Sequence, residues 1–492
     1  MTDFHPRVYF TDAFRIDPAV LDGYGAFNIA LVNDLPLFID PFLLYDSADA
    51  KYQALHVGII DYLCFLRDRA VAGDLTPATI SHWLLFKEVK QNWLGFSRNG
   101  NSGTGLGKDF AQSLARNLST AFRGFGNEAV TNGSHLEKLG LLNNGVGRDH
   151  LSDFTANLIK GFLLEYTQTF AQEHLQPDDR RRFKVDRVDF NYGTRRWNAR
   201  EFDLPYWKGD FVLLSPKEIL TRDDAWINQG DMLDQFTQIC LATPDEGLRL
   251  QANAHFLSQI NDRTTDKERR AAALKTVEKF HALMDYYIKW KEEHASEAHM
   301  QSDTKVRDTE IQFVQNIKSL INDFLVGSDF YEGEQSYTAS LRRLHFLKGV
   351  IEDKGGHRMF YVKGKPVQRE TDLHIMYRLT WFGSDLDMNA EVNNGRGPVD
   401  FKISRGKKDA SLVEFKLAKN SALEKNLQHQ VRIYEKASDT EKSIKAIVYF
   451  NQAERLRVEK ILVKLGIAGR EDIVLIDASL DTKASASKAD QS

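Results

Sequence analysis

The eight residues from Ala410 to Leu417 constrain this chain more than any other stretch. They read as a β-strand, in which successive side chains point to opposite faces of a sheet. Val413, Phe415 and Leu417 therefore share one side, which has to be buried. Glu414 and Lys416 share the other, so the fold must provide two opposite charges with a common destination. Any architecture for this part of the chain has to satisfy both demands at once.

The flanking segments supply the rest of a sheet. Leu386–Val392 and Pro398–Ile403 read as strands joined by the turn Asn393–Gly397, and the basic, polar turn Ser404–Asp409 leads into the Ala410 strand. Short neighbouring strands of this kind pair antiparallel in the simplest topology. An amphipathic helix is predicted over Thr371–Phe382, with Glu370 near its start. Beyond the strand, Ser421 and Glu424 have the spacing of a capping box for a helix reaching Ala437. Gln430 and Tyr434, four positions apart, share one face of that helix. Ile444–Phe450 reads as a buried strand, Ala453–Leu465 as a helix and Ile473–Ile476 as a strand. This order predicts a compact α/β core with a central mixed sheet.

The chemistry follows from the charges. If the strand carrying Asp400 lies beside the Glu414 strand in suitable register, a carboxylate from each can hold one divalent ion. Carboxylate oxygens suit Mg²⁺, which keeps waters and binds substrate phosphate. Such an ion polarises a phosphodiester and helps to generate a hydroxide nucleophile. Lys416 can orient that water or stabilise charge developing on a phosphate oxygen. Cys64 and Cys240 fall in predicted helices, and no Cys/His set has convincing zinc spacing.

Residues 350–478 resemble the PD-(D/E)XK, or restriction-endonuclease-like, nuclease superfamily. Its signature places an Asp on one core strand and a Glu-x-Lys triplet on the next. Here Asp400 is separated by 13 residues from Glu414-Phe415-Lys416, and Val399 intervenes between Pro398 and Asp400, which the idealised motif has adjacent. The resemblance implies Mg²⁺-dependent hydrolysis of DNA phosphodiester bonds, with Mn²⁺ as a substitute ion and RNA as the alternative substrate. It implies a further acid at Glu391 or Glu370, Glu391 being preferred for its nearness in sequence to Gly395–Asp400. The Gln430/Tyr434 pair is similar to a helix motif of several branches. A noncatalytic nucleic-acid-binding or scaffold subunit of a defence or repair assembly is the alternative, since fold does not imply activity.

Local charge agrees with a phosphate-bearing partner. Residues 400–436 carry nine basic and five acidic side chains, although the whole chain has a formal charge of −4. Arg396, Arg405, Lys407 and Lys408 lie on turns beside the proposed acids, and Lys419 and Lys425 extend the basic edge toward a nucleic-acid backbone. The acidic whole excludes a protein that coats nucleic acid over its entire surface.

The remainder divides into an N-terminal α+β recognition or regulatory domain (1–245), a helical linker or domain (246–349) and a tail (479–492). Helices are predicted over 51–73, with Leu55, Ile59, Ile60 and Leu63 on the apolar side, and over Leu151–Ala171. Strands follow around Lys184–Asn191, Trp197–Phe202 and Phe211–Leu214. In Asp266–Glu293 the spacing of Leu274, Val277, Phe280, Leu283 and Tyr287 fits one buried stripe, either of a spacer or of a dimerisation helix that would make a homo-oligomer. Ser102–Lys108 departs from a phosphate-binding loop, which needs Gly at its first position and Ser or Thr after the Lys. Arg148–Asp153, with Ser152 or Asp153 as helix cap, together with Leu213–Pro216 and Asp223-Asp224, resembles large bacterial phage-defence proteins, implying a defence-system partner. No apolar run approaches the roughly 20 residues of a membrane helix, and Met1–Phe10 has no secretory pattern. A cytoplasmic protein is expected.

Overall fold

The computed structural model describes residues 7–95, 106–119, 122–142, 146–261, 263–328, 330, 335–381, 387–393, 398–404, 409–428 and 442–480. The chain is a mixed α/β protein. Its first long helix, α1 (Ala50–Val71), starts where the Asp49 carboxylate accepts from the Lys51 amide and buries Tyr52, Ile59, Leu63 and Leu66 along one side.

The predicted helix Leu151–Ala171 is two helices, Arg148–Leu158 and α2 (Lys160–His174), parted at Ile159, whose ψ of 13° leaves the helical range. Gly147 occupies the cap position, so Ser152 and Asp153 do not cap. Ser152 instead lies inside the first helix, where its Oγ accepts from the Ile39 amide at 3.0 Å. Gly161 explains the close seating of α2. A Cβ there would stand 3.0 Å from Oδ1 of Asp189 and 3.3 Å from a methyl of Val188.

Those last residues belong to β1 (Arg180–Asn191), which pairs antiparallel with β2 (Arg196–Trp207). The hairpin reaches further at its outer ends than its apolar pattern foretold. Its register shifts between Val185 and Asp189, where Arg187 adopts a left-handed φ of 55°.

Asp266–Glu293 is also two helices, Asp266–Lys279 and Ala282–Glu293, separated by Phe280 in a non-helical conformation. The helix Ala295–Glu310 then runs into π-helical turns at Ile311–Gln315 and Ile321–Leu325. One buried apolar cluster extends from Val8 to Ala478, so the three expected segments contribute to a common core.

The C-terminal part begins with α3 (Ser336–Asp353) and α4 (Glu370–Thr380). Before α4, Gly356–Phe360 forms a 3₁₀ turn and Tyr361–Val362 pairs antiparallel with Lys365–Pro366. Then come β3 (Asp387–Asn393), β4 (Pro398–Ser404), β5 (Ala410–Leu417), β6 (Lys442–Tyr449), α5 (Gln452–Lys464) and β7 (Ile473–Asp477). The strands form one five-stranded sheet in the order β7-β6-β5-β4-β3. β3, β4 and β5 are antiparallel neighbours, whereas β5–β6 and β6–β7 are parallel. Before β6 the described helical residues are 423–428, and Asn420 rather than Ser421 precedes them with a side-chain bond to the Ala422 amide.

Alternation in β5 sorts the two faces as its sequence demands. Val413, Phe415 and Leu417 enter the large core, where the Phe415 ring meets Tyr377 of α4 at 4.3 Å. The opposite side of β6 packs Ile447 and Tyr449 into a smaller cluster with Leu423, Leu427, Val458 and Ile461.

Candidate functional site at the fork between two strands

β4 and β5 pair from Ala410↔Ser404 to Val413↔Phe401 and no further, while β5 remains paired with β6 as far as Leu417↔Val448. Beyond Val413, every second amide of β5 therefore points toward the vacated side and needs an acceptor. Two carboxylates fill these positions. The Phe415 amide donates to Oδ2 of Asp400 at 2.7 Å, and the Leu417 amide donates to Oε1 of Glu370 at 3.2 Å. Asp400 comes from β4 itself and Glu370 from the first turn of α4. The same Oε1 accepts from Nδ2 of Asn420 at 2.6 Å.

Lys416 sits between the two acids, its Nζ 3.4 Å from Oδ2 of Asp400 and 3.5 Å from Oε2 of Glu370. Burial disfavours its charge, but Asp400, Glu370 and Glu414 more than compensate and hold the ammonium above the ordinary lysine range. Nε2 of His374, one turn along α4 from Glu370, lies 3.1 Å from Oδ2 of Asp400. Burial of Asp400 is likewise outweighed, by His374, by Lys416 and by the Phe415 amide. The net effect puts this carboxyl below the usual aspartate range.

Glu414 has a different partner. Its Oε1 meets Nζ of Lys445 at 2.6 Å, with both side chains buried, and Lys445 also donates to Oγ of Ser443 at 2.8 Å. Glu414 and Lys445 are register partners on β5 and β6, so they share a face of the sheet. Burial pushes the Lys445 ammonium below its usual range despite the nearby Glu414.

The sequence-derived residues divide accordingly. Asp400, Lys416 and Glu370 converge at the fork, with Glu414 adjacent. Glu391 falls on β3 between the register pairs Ala390↔Phe401 and Val392↔Val399, which aligns its position with Asp400. Lys419 bonds Oε1 of Gln368 at 2.5 Å, and Lys425 is exposed. Arg396, Arg405, Lys407, Lys408, Gln430 and Tyr434 lie outside the described residues. Sequence reasoning missed His374, Asn420 and Lys445. His374 was legible as the residue four positions after Glu370 on the same helical face, and Lys445 as the one charge in the otherwise apolar run Ile444–Phe450.

α4 is held from outside the sheet on both sides of Glu370. Arg369 pairs with Asp223 at 2.6 Å, and Asp372 pairs with Arg222 at 3.0 Å. Arg222 also bonds Gln312 in the π-helical turn at 2.9 Å. The N-terminal segment and the middle helices thus position the helix that carries Glu370 and His374.

Among the described residues, no group of three or more His, Cys, Asp and Glu is spaced to hold a metal ion. Asp400 and Glu414 have the oxygen chemistry of Mg²⁺ or Mn²⁺ ligands, and Asp400 is held charged. An ion taking Oε1 of Glu414 would have to replace its contact with Lys445. Among these residues, no helix is long and apolar enough to cross a membrane.

No curated protein and no solved structure matches the chain. Two family matches cover separate parts of it: residues 15–228 match Domain of unknown function (DUF8370), and residues 336–452, which contain Glu370, His374, Asp400, Glu414, Lys416 and Lys445, match Domain of unknown function (DUF8371).

Proposed function

We propose that the C-terminal sheet carries a metal-dependent nuclease site acting on DNA phosphodiester bonds. The observation that carries this reading is the convergence of Asp400, Glu370 and Lys416 at the end of β5, beside Glu414. The connectivity supports it: a helix, three antiparallel strands and a fourth strand parallel to the third follow the order expected from the PD-(D/E)XK resemblance.

Asp400 and Glu414 would hold Mg²⁺ or Mn²⁺, which when bound supplies Lewis-acid polarisation of the phosphate and a more acidic water. The protein's own contributions follow from its electrostatics. Lys416 keeps its proton because the acids around it stabilise the ammonium. It therefore serves as a fixed positive charge for a phosphate oxygen rather than as a base. The Phe415 and Leu417 amides, by holding Asp400 and Glu370, fix both carboxylates against the strand end. His374 positions Asp400 from the helix side.

A second reading draws on the Lys445–Glu414 pair, which neutralises one proposed ligand. In it, the same site binds nucleic acid without cutting it. A cleavage screen separates the two. The full chain is incubated with linear, circular and single-stranded DNA and with RNA, in Mg²⁺, Mn²⁺ or chelator, beside Asp400→Ala and Lys416→Ala. Metal-dependent cutting that both folded variants lose supports the nuclease. Binding without cutting under every condition supports the second reading, and full activity in both variants removes the site altogether.

A further inference from the structure

A cavity of about 740 Å³ opens in the N-terminal part, far in sequence from the strand fork and lined by none of its residues. Its size falls within the roughly 300–1,000 Å³ of small-molecule sites. Its lining includes the apolar side chains of Phe86, Phe211 and Leu213. The opposite chemistry comes from Lys87, Lys160, Lys184 and Arg187, set against the carboxylates of Glu88 and Asp186.

Two features mark the cationic wall as unusual. Lys160 is the first residue of α2, and among the described residues no hydrogen bond or ion pair reaches its ammonium. Burial and the nearby Arg187 lower its pKa to about 8, and Asp186 offsets them only in part. Arg187, for its part, stands in the register shift of β1 with a left-handed φ of 55°. A bulge of this kind re-aims a side chain, and strain at a non-glycine residue persists only where the surroundings hold it. Here Nη1 of Arg187 donates to the Leu85 carbonyl at 2.6 Å, which fixes the guanidinium at the cavity's edge.

We propose that this cavity binds a phosphate-bearing nucleotide, with Lys160 and Arg187 on the phosphates and the base against the half-buried ring of Phe211. An anion adds to the partial countercharge that Asp186 gives Lys160. The Phe211 ring offers a planar base a stacking surface that a bare phosphate cannot use. The proposal stands apart from the nuclease reading, because the cavity shares no residue with the strand fork.

Isothermal titration calorimetry on the full chain tests it with ATP, AMP, adenosine and inorganic phosphate. ATP or AMP should bind, adenosine and inorganic phosphate each about tenfold or more weaker. Lys160→Met, which keeps the apolar stem, should weaken nucleotide binding about tenfold, the scale of one lost charge-assisted hydrogen bond. Lys184→Glu, a change at an exposed position, should weaken it several-fold without affecting the fold. Absence of binding by any nucleotide, or unchanged affinity in both folded variants, overturns the proposal. Adenosine binding as tightly as ATP overturns the anionic end, and phosphate binding as tightly as ATP overturns the nucleotide assignment.

Discussion

Asp400 in the C-terminal sheet and Asp34 in the N-terminal core are both removed from water, yet the fold treats them oppositely. The Asp400 side chain is 13% exposed and has His374, Lys416 and the Phe415 amide around one oxygen, so its carboxyl sits below the usual range. Asp34 is 2% exposed, and among the described residues neither carboxylate oxygen has a hydrogen-bond partner. Burial raises its pKa well above the ordinary value; Glu88 reinforces the shift, Arg378 opposes it, and Asp153 adds a smaller push upward. A buried carboxylate stays charged only where cations and amide donors replace the water it lost. That difference marks Asp400, not Asp34, as a group fit to meet a cation.

The largest effect expected from breaking this contrast is on cleavage. Asp400→Asn should lower metal-dependent DNA cutting by roughly 10³-fold, equivalent to about 4 kcal/mol of transition-state stabilisation. Single-turnover assays beside a thermal melt would check it, and a folded variant that cuts normally would show that the charge of Asp400 is idle.

Next in size is the buried pair beside it. Lys445→Met removes the cation from Glu414 and should destabilise the fold by about 3 kcal/mol, the scale for leaving one charge of a buried pair uncompensated. Adding Glu414→Gln should recover much of that loss in urea unfolding. An unchanged midpoint in the single variant would mean that Glu414 relaxes to water.

The two aspartates also predict opposite pH behaviour, of about 1 kcal/mol per unit of pKa difference. Folding leaves Asp34 protonated at pH values where the unfolded chain has ionised it. Its contribution to stability therefore falls as pH rises above the unfolded value of about 4. Asp400 ionises more readily in the folded chain, so its contribution is lost as pH falls below that same value. Asp34→Asn should flatten the stability profile on the alkaline side and Asp400→Asn on the acid side. The same flattening from both would erase the distinction.

The smallest effect concerns the contacts that hold α4. Arg369→Ala breaks the partly exposed pair with Asp223 and should cost no more than about 1 kcal/mol of stability. Its cleavage rate should nevertheless fall several-fold, because Glu370 is the next residue. An unchanged rate would show that Asp372–Arg222 alone positions the helix.

Much of the C-terminal part was legible before any coordinates. The alternation in Ala410–Leu417 sorted the faces of β5, and the succession of apolar segments foretold the strands around it. Helix continuity was less legible. Leu151–Ala171 and Asp266–Glu293 both preserve apolar spacing across a break, since one non-helical residue can redirect a helix without disturbing which side chains are buried. Between Glu370 and Glu391, sequence proximity favours Glu391 slightly, but nearness along the chain says nothing about where a helix returns. Glu370 enters the site because α4 packs Tyr377 against Phe415 and so brings its first turn to the end of β5.

The sequence by itself determined that Glu414 and Lys416 share a face and that Asp400 lies on a neighbouring strand, because a strand's period of two is a local property of the backbone. Tertiary structure alone decided what those charges meet. Lys445 reaches Glu414 through a parallel pairing, His374 reaches Asp400 from a helix, and the early end of the β4–β5 pairing leaves two amides for Asp400 and Glu370 to satisfy. Partners so distant along the chain are set by packing, and through them the fold holds Asp400 and Lys416 in their charged forms.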